Sequence, residues 1–179
     1  MAERVTTETP WSVRVSLQRA ARGPVRLTLD ADERERRAVA EELDLPLVER
    51  LRGEVTVIPW LDGLQVNGVW EARASQTCGV TLEPFERDFA GAFQIRAVPA
   101  DSPAATPPEP EVEIDLSTPD PPDILQDDSV DVASLLVEHL ALELDPFPRS
   151  PGAEFAPPPD ESPTSPFAVL QRLQPRGEG

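Results

Sequence analysis

Hydrophobic and polar positions alternate through most of the first half of the chain. Trp11, Val13, Val15 and Leu17 alternate with Ser12, Arg14, Ser16 and Gln18, the period-two pattern of a half-buried strand. Val25, Leu27 and Leu29 alternate with Arg26 and Thr28, and Gly23-Pro24 between the two runs reads as a turn. A helix is expected next, with Asp30 as N-cap, Glu33 as its capping-box partner, and Val39 and Leu43 facing inward; it stops before Pro46. Three longer strands follow. Leu47 to Ile58 alternates loosely. Val66 to Ala74 places Val66, Trp70, Ala72 and Ala74 on one face. Phe85 to Ala97 places Phe85, Phe89, Phe93, Ile95 and Ala97 on one face. Asp62-Gly63 is a hairpin-turn pair between the first two, and Cys78-Gly79 lies in the bend before the third.

The pattern changes after Val98. Residues 99–110 (PADSPAATPPEP) read as a flexible acidic linker. Helical spacing returns at Val132, Leu135, Leu136 and Leu140, with Asp131 as N-cap and Pro146 as the stop. Residues 150–179 read as a proline-rich tail. Within it Ser165 and Pro166 open a short terminal helix carrying Phe167, Leu170 and Leu173. The expected fold class is α+β: an antiparallel sheet, or a partly closed barrel, packed with one or two helices over residues 1–149, plus proline-rich linkers and the short C-terminal helix.

Charge and proline sharpen this division. Residues 1–98 hold 16 acidic residues against 13 arginines, net -3; residues 99–164 hold 16 acidic residues against Arg149 alone, net -15. Of the 22 prolines, 17 lie between Pro99 and Pro175. A formal net charge of -17 disfavours nucleic acid and anionic membranes, which bind through Lys and Arg, and favours a basic protein partner. No apolar run approaches the ~20 residues that span a bilayer, and the start lacks a secretory pattern, so the cytoplasm is expected.

Catalytic chemistry is sparsely represented. His139, the sole histidine, falls among helix leucines with no nucleophile motif to serve, and no glycine-rich phosphate loop occurs. Asp123, Asp127, Asp128 and Asp131 cluster before the second helix. Their spacing is not that of a calcium loop, and an acidic approach that complements the helix dipole accounts for them. Cys78 has no second cysteine with which to build a thiolate metal site or an intrachain disulfide. No catalytic residue, metal ligand or cofactor is therefore expected.

Three segments in order resemble the bacterial YceD family, described as large-subunit (23S) ribosomal RNA accumulation proteins. They are SQTCGVTLEPF (Ser75–Phe85), VDVASLLVEHLALELDPFPR (Val130–Arg149) and SPFAVLQRL (Ser165–Leu173). Many relatives carry a Cys-x-x-Cys pair in the first segment. Here Ser75 stands at the first position and only Cys78 remains, while Asp145–Phe155 supplies no cysteine. The turn of Ser75, Cys78, Gly79 and Phe85 is thus expected to be structural, shaped by packing and Gly79 and not by metal. The resemblance implies a ribosome-biogenesis role without an enzymatic step. Joined to the charge, it suggests a basic ribosomal or assembly protein as partner, with ribosomal RNA affected at one remove. The residues expected to meet that partner are Asp123, Asp127, Asp128, Asp131 and Glu138, with Phe167, Leu170 and Leu173 as apolar anchors. Two alternatives remain: direct RNA binding by Arg14, Arg26, Arg73, Arg87 and Arg96, and a metal-dependent RNA-processing enzyme built on the aspartates.

Overall fold

Three long antiparallel strands dominate the molecule: β3 (Leu47–Trp60), β4 (Gly63–Thr77) and β5 (Pro84–Val98). The structure, a computed structural model, describes residues 9–105 and 121–155. The other elements, in chain order, are β1 (Arg14–Ser16), α1 (Leu17–Ala20), β2 (Val25–Asp30), α2 (Glu33–Glu42), β6 (Asp123–Ile124), β7 (Ser129–Asp131) and α3 (Val132–Glu143). The main sheet runs β2-β3-β4-β5-β6, antiparallel except for the parallel β5–β6 pair. It is open, with β2 and β6 at its edges, so the α+β expectation holds without a barrel. A separate pair joins β1 to β7.

Register explains the alternation. Leu29, Gly53, Trp70 and Gly91 lie opposite one another across four strands, as do Val25, Val57, Val66 and Ile95. These rows form the inner face, and Val57, Val66 and Ala72 on it are essentially inaccessible to water. The outer face carries Arg26, Arg52, Glu71, Arg73, Gln94 and Arg96 and meets solvent, as period two requires. Two glycines on the inner face make room for aromatic rings on the neighbouring strand. Phe93 lies over Gly68 and Trp70 over Gly91, each ring within about 3 Å of where a Cβ would stand.

Helix α3 covers the inner face. Val132, Ala133, Leu136 and Leu140 are fully buried, each large apolar chain contributing about 1.5–3 kcal/mol. Asp131 caps the helix by accepting the Ser134 N–H. The proposed stripe and cap at this helix agree with the structure.

Three local expectations need correction. The run from Trp11 to Gln18 is not one strand: only Arg14–Ser16 is extended. Ser16 then accepts the Arg19 N–H and turns the chain into the single-turn helix α1. Helix α2 is capped two residues later than expected. Asp30 is spent in β2 opposite Arg52, while Asp32 and Glu35 form the reciprocal capping box. Glu33 instead pairs with Arg37 one turn on, at 3.3 Å. The β3–β4 turn is Leu61-Asp62, not Asp62-Gly63, since Trp60 pairs with Gly63. Leu61 takes the left-handed conformation at φ 51°, where glycine or asparagine is the usual occupant. Gly63 is needed for a different reason, because a Cβ there would lie 2.0 Å from the carbonyl oxygen of Ala97. Of the linker at 99–110, residues 99–105 are described and include a short 3-10 turn at Pro103–Ala105. Most of the tail, including the segment where a terminal helix is expected, lies outside the described residues.

Candidate functional site

A groove of about 1410 Å³ opens between the first residues of the described chain, the start of α2, the β5–β6 edge and the first half of α3. Five carboxylates line it, Asp32, Glu35, Asp123, Asp131 and Glu138, against two arginines, Arg14 and Arg34. Topology makes this grouping. The β1–β7 pairing sets Arg14 opposite Asp131, and β6 runs beside the end of β5. Asp32 and Glu35 carry sequence signals only as capping residues, and nothing local to α2 reveals that they line a groove with residues about a hundred positions later.

The aspartates of the second half differ in what they do. Asp131 is committed to the fold: one oxygen accepts the Val13 N–H at 2.9 Å and the Ser134 N–H at 3.3 Å, and the other accepts the Ser12 hydroxyl. Asp127 and Asp128 occupy successive left-handed positions, φ 50° and 52°, in the turn between β6 and β7. Asp127 is 3.7 Å from Arg14, and the Asp128 carbonyl accepts the Leu17 N–H at 2.8 Å. Asp123 is exposed on the edge strand β6. Glu138 is exposed on α3 and accepts the Ser134 hydroxyl. Among the described residues, no group of three or more His, Cys, Asp or Glu side chains is arranged to hold a metal ion. Phe167, Leu170 and Leu173 lie outside the described residues.

The arginines do not gather into a free basic face. Arg14 belongs to the small sheet, and Arg87 shares the face of Phe85 and Phe89, with its guanidinium 5.3 Å from the Phe89 ring centre. Arg73 is held by Glu49 at 2.9 Å, by Glu86, and by Asp88 at 3.4 Å, which together raise its pKa, the hydrogen bond to Glu86 foremost. Arg50 and Arg52 share Glu71, at 3.2 and 2.6 Å. Arg96 lies over the Trp60 ring and donates to Gln65. Arg26 stands on the outer face of the edge strand β2, opposite Thr56.

The bend at Cys78 is a second organised feature. Cys78 is fully buried, and four donors converge on its sulfur. They are the backbone N–H groups of Val80, Thr81 and Ser150 and the Ser150 hydroxyl, all at 3.4–3.5 Å. The thiol is pushed down to about 6, first by the Thr81 side chain and then by the Ser150 and Thr81 backbone and the Ser150 hydroxyl; burial acts the other way. Residues after α3 clamp this bend from outside. Gly79 donates to the Pro148 carbonyl at 2.8 Å, and the buried Gln76 side chain donates to the Asp145 carbonyl at 3.2 Å. Gly79 does not create the shape. Its φ is not in the left-handed region and a Cβ there would meet only ordinary contact, at 3.6 Å; the left-handed residue is Leu82, at φ 60°. Ser75 is buried at the end of β4 opposite Leu47, and Phe85 is half-buried opposite Gln76.

His139 serves packing. Its ring stacks on Phe93 with centroids 4.4 Å apart, and Nδ1 donates to the Leu135 carbonyl at 2.8 Å. No described helix is long and apolar enough to cross a membrane.

Comparison with known proteins matches a protein-family model. The model of the family described as "Large ribosomal RNA subunit accumulation protein YceD" aligns with residues 66–174, well over half of the chain. The matched region holds β4 from Val66 on, β5, the Cys78 bend, α3 and the clamping segment. No curated protein and no solved structure matches the chain.

Proposed function

Because the chain belongs to the YceD family, whose description ties it to accumulation of the large ribosomal RNA, we propose that it acts in large-subunit biogenesis as a cytoplasmic binding protein for a basic ribosomal or assembly protein. The RNA is then affected through that partner, without a catalytic step by this chain. The observation that carries the reading is the groove where Asp123, Asp131 and Glu138 join Asp32 and Glu35. Five carboxylates against two arginines make a negative field over a concave surface, which steers and retains a cationic segment.

The arginine arrangement supports the same choice over direct RNA binding. Arg73, the candidate held by three carboxylates, gains little from a phosphate, because it must first give up charge-assisted bonds and leave acidic groups beside the RNA. The aromatic rings Phe89 and Phe93 that could have stacked bases are in the core.

Pull-down of large-subunit precursors with the full chain, at about 0.1 M and about 1 M salt, tests this. The screening length falls from about 10 to about 3 Å between these conditions. Basic proteins are expected at low salt and lost at high salt, and Asp123→Asn with Glu138→Gln should weaken their recovery. Recovery of protein-free ribosomal RNA, unaffected by those two substitutions, would overturn the proposal.

A further inference from the structure

At the far end of α3 from the groove, a hydrogen-bonded backbone displays bare apolar side chains. Phe147 is 81% exposed, Leu82 76% and Leu142 80%. Isolated exposed apolar residues are common, but these three have a shared frame. Leu82 belongs to the Cys78 bend, whose Gly79 N–H binds the carbonyl of Pro148, the residue after Phe147. Leu142 stands three residues before Asp145, whose carbonyl accepts from the Gln76 side chain. Phe147 is therefore fixed from both sides. Its own N–H donates to Asp145 Oδ1 at 2.9 Å, and two residues beyond Pro148 the backbone and hydroxyl of Ser150 bind the Cys78 sulfur.

Holding an aromatic ring in water on an ordered backbone does nothing for the core. It removes in advance the ordering cost that a binding anchor would otherwise incur on association. The surroundings indicate what the anchor meets. Glu83, Asp145 and Glu154 on the same turn and clamping segment, and Glu143 at the end of α3, are exposed, against Arg149. An apolar centre with an acidic rim suits a cationic partner that carries an apolar pocket, and it repels a second copy of a chain of net charge -17.

We propose that Phe147, together with Leu82 of the Cys78 bend to which its segment is hydrogen-bonded, is the apolar anchor of a second contact surface, which docks a basic protein. The inference rests on the reading of a basic partner given above. It places a grip at each end of α3, whose 12 residues span about 18 Å.

Individually purified large-subunit ribosomal proteins of the host serve as probes, with the full chain labelled for fluorescence anisotropy. The variants are Phe147→Ser combined with Leu82→Asn, asparagine being tolerated at positive φ. At least one probe is expected to bind the native chain, and the double variant should bind it tenfold or more weakly with an unchanged melting temperature. Equal affinity of variant and native chain would overturn the anchor while leaving the basic-partner reading intact. Binding of no probe to the native chain at low salt, with the host's basic large-subunit assembly proteins included among the probes, would overturn both. Sedimentation showing that the native chain self-associates and the variant does not would replace the basic partner with a second copy, which also defeats the proposal.

Discussion

Leu136 of α3 packs directly onto Gly53 of β3: a Cβ at Gly53 would stand 2.7 Å from Leu136 Cδ2 and 2.9 Å from the Val69 carbonyl oxygen. The helix reaches the sheet here because the sheet has no side chain at that point. Gly53→Ala should therefore cost about 1–3 kcal/mol through overpacking, despite the smaller entropy of its unfolded chain. Gly79→Ala, whose added Cβ would make only an ordinary contact with the Pro148 carbonyl oxygen, should stay within about 0.5 kcal/mol of the native protein. Urea denaturation of the two variants checks the contrast, and equal losses would contradict it.

The acidic residues of the second half should separate in the same way. Asp131→Ala removes a helix cap and two further hydrogen bonds that tie Ser12 and Val13 to α3. Its expected cost is about 2–4 kcal/mol. Asp127→Asn touches one exposed ion pair and should cost under about 1 kcal/mol. Thermal melts would show a large drop for the first and almost none for the second. The reverse order would mean that Asp131 is a surface group.

Cys78 gives a pH dependence of definite sign. Its folded pKa, about 6, lies below that of the free thiol, so between these values the unfolded chain holds a proton that the folded chain has released. The resulting stabilisation is complete above about pH 9 and disappears as pH falls through about 6. The melting-temperature difference between the native chain and Cys78→Ser should widen as pH rises across that window. Thiolate absorbance should titrate near 6 in the folded protein. Parallel melting curves for the two proteins would show that the sulfur remains protonated.

Much of this architecture was legible in the order of residues. Period two located β2 through β5, because a sheet with one wet face imposes its alternation on every residue. Asp131, the leucine stripe and Pro146 located α3. What escaped was decided at a distance. Strands β6 and β7 are two and three residues long and carry no pattern of their own; β7 is paired by β1 and β6 is held by β5. Asp30 and Asp32 are equally good caps, and only the pairing of Asp30 with Arg52 chooses between them. The groove was half visible: Asp123, Asp131 and Glu138 were named, while Asp32 and Glu35 join them only after packing. Phe147 gave one neglected signal, an aromatic between two prolines and outside every apolar stripe.

The Leu61-Asp62 turn offers a test by improvement. Leu61 is exposed and left-handed, so Leu61→Gly should gain about 1 kcal/mol by removing the strain on its Cβ. Gly63→Ala should be strongly destabilising, since the Ala97 carbonyl occupies the space. Denaturant midpoints that move in opposite directions for neighbouring substitutions would confirm that the turn is set one residue earlier than the Asp-Gly pair suggests. A stabilising Gly63→Ala would refute it.

The pairing of β1 with β7 has a consequence in time. Ser12 binds Asp131 across a separation of 119 residues, whereas β3, β4 and β5 pair in succession through short turns. At synthesis rates of about 5–20 residues per second, roughly 6–24 s pass between the appearance of the first partner and the last. The meander can zip as it emerges, while Trp11 and Val15 wait without their cover. A nascent chain stalled before Asp131 lacks α3 as well as the β7 partner, so it should present the paired meander with its apolar inner face uncovered beside a loose amino-terminal segment, and those two surfaces are where a chaperone or a protease would first find purchase.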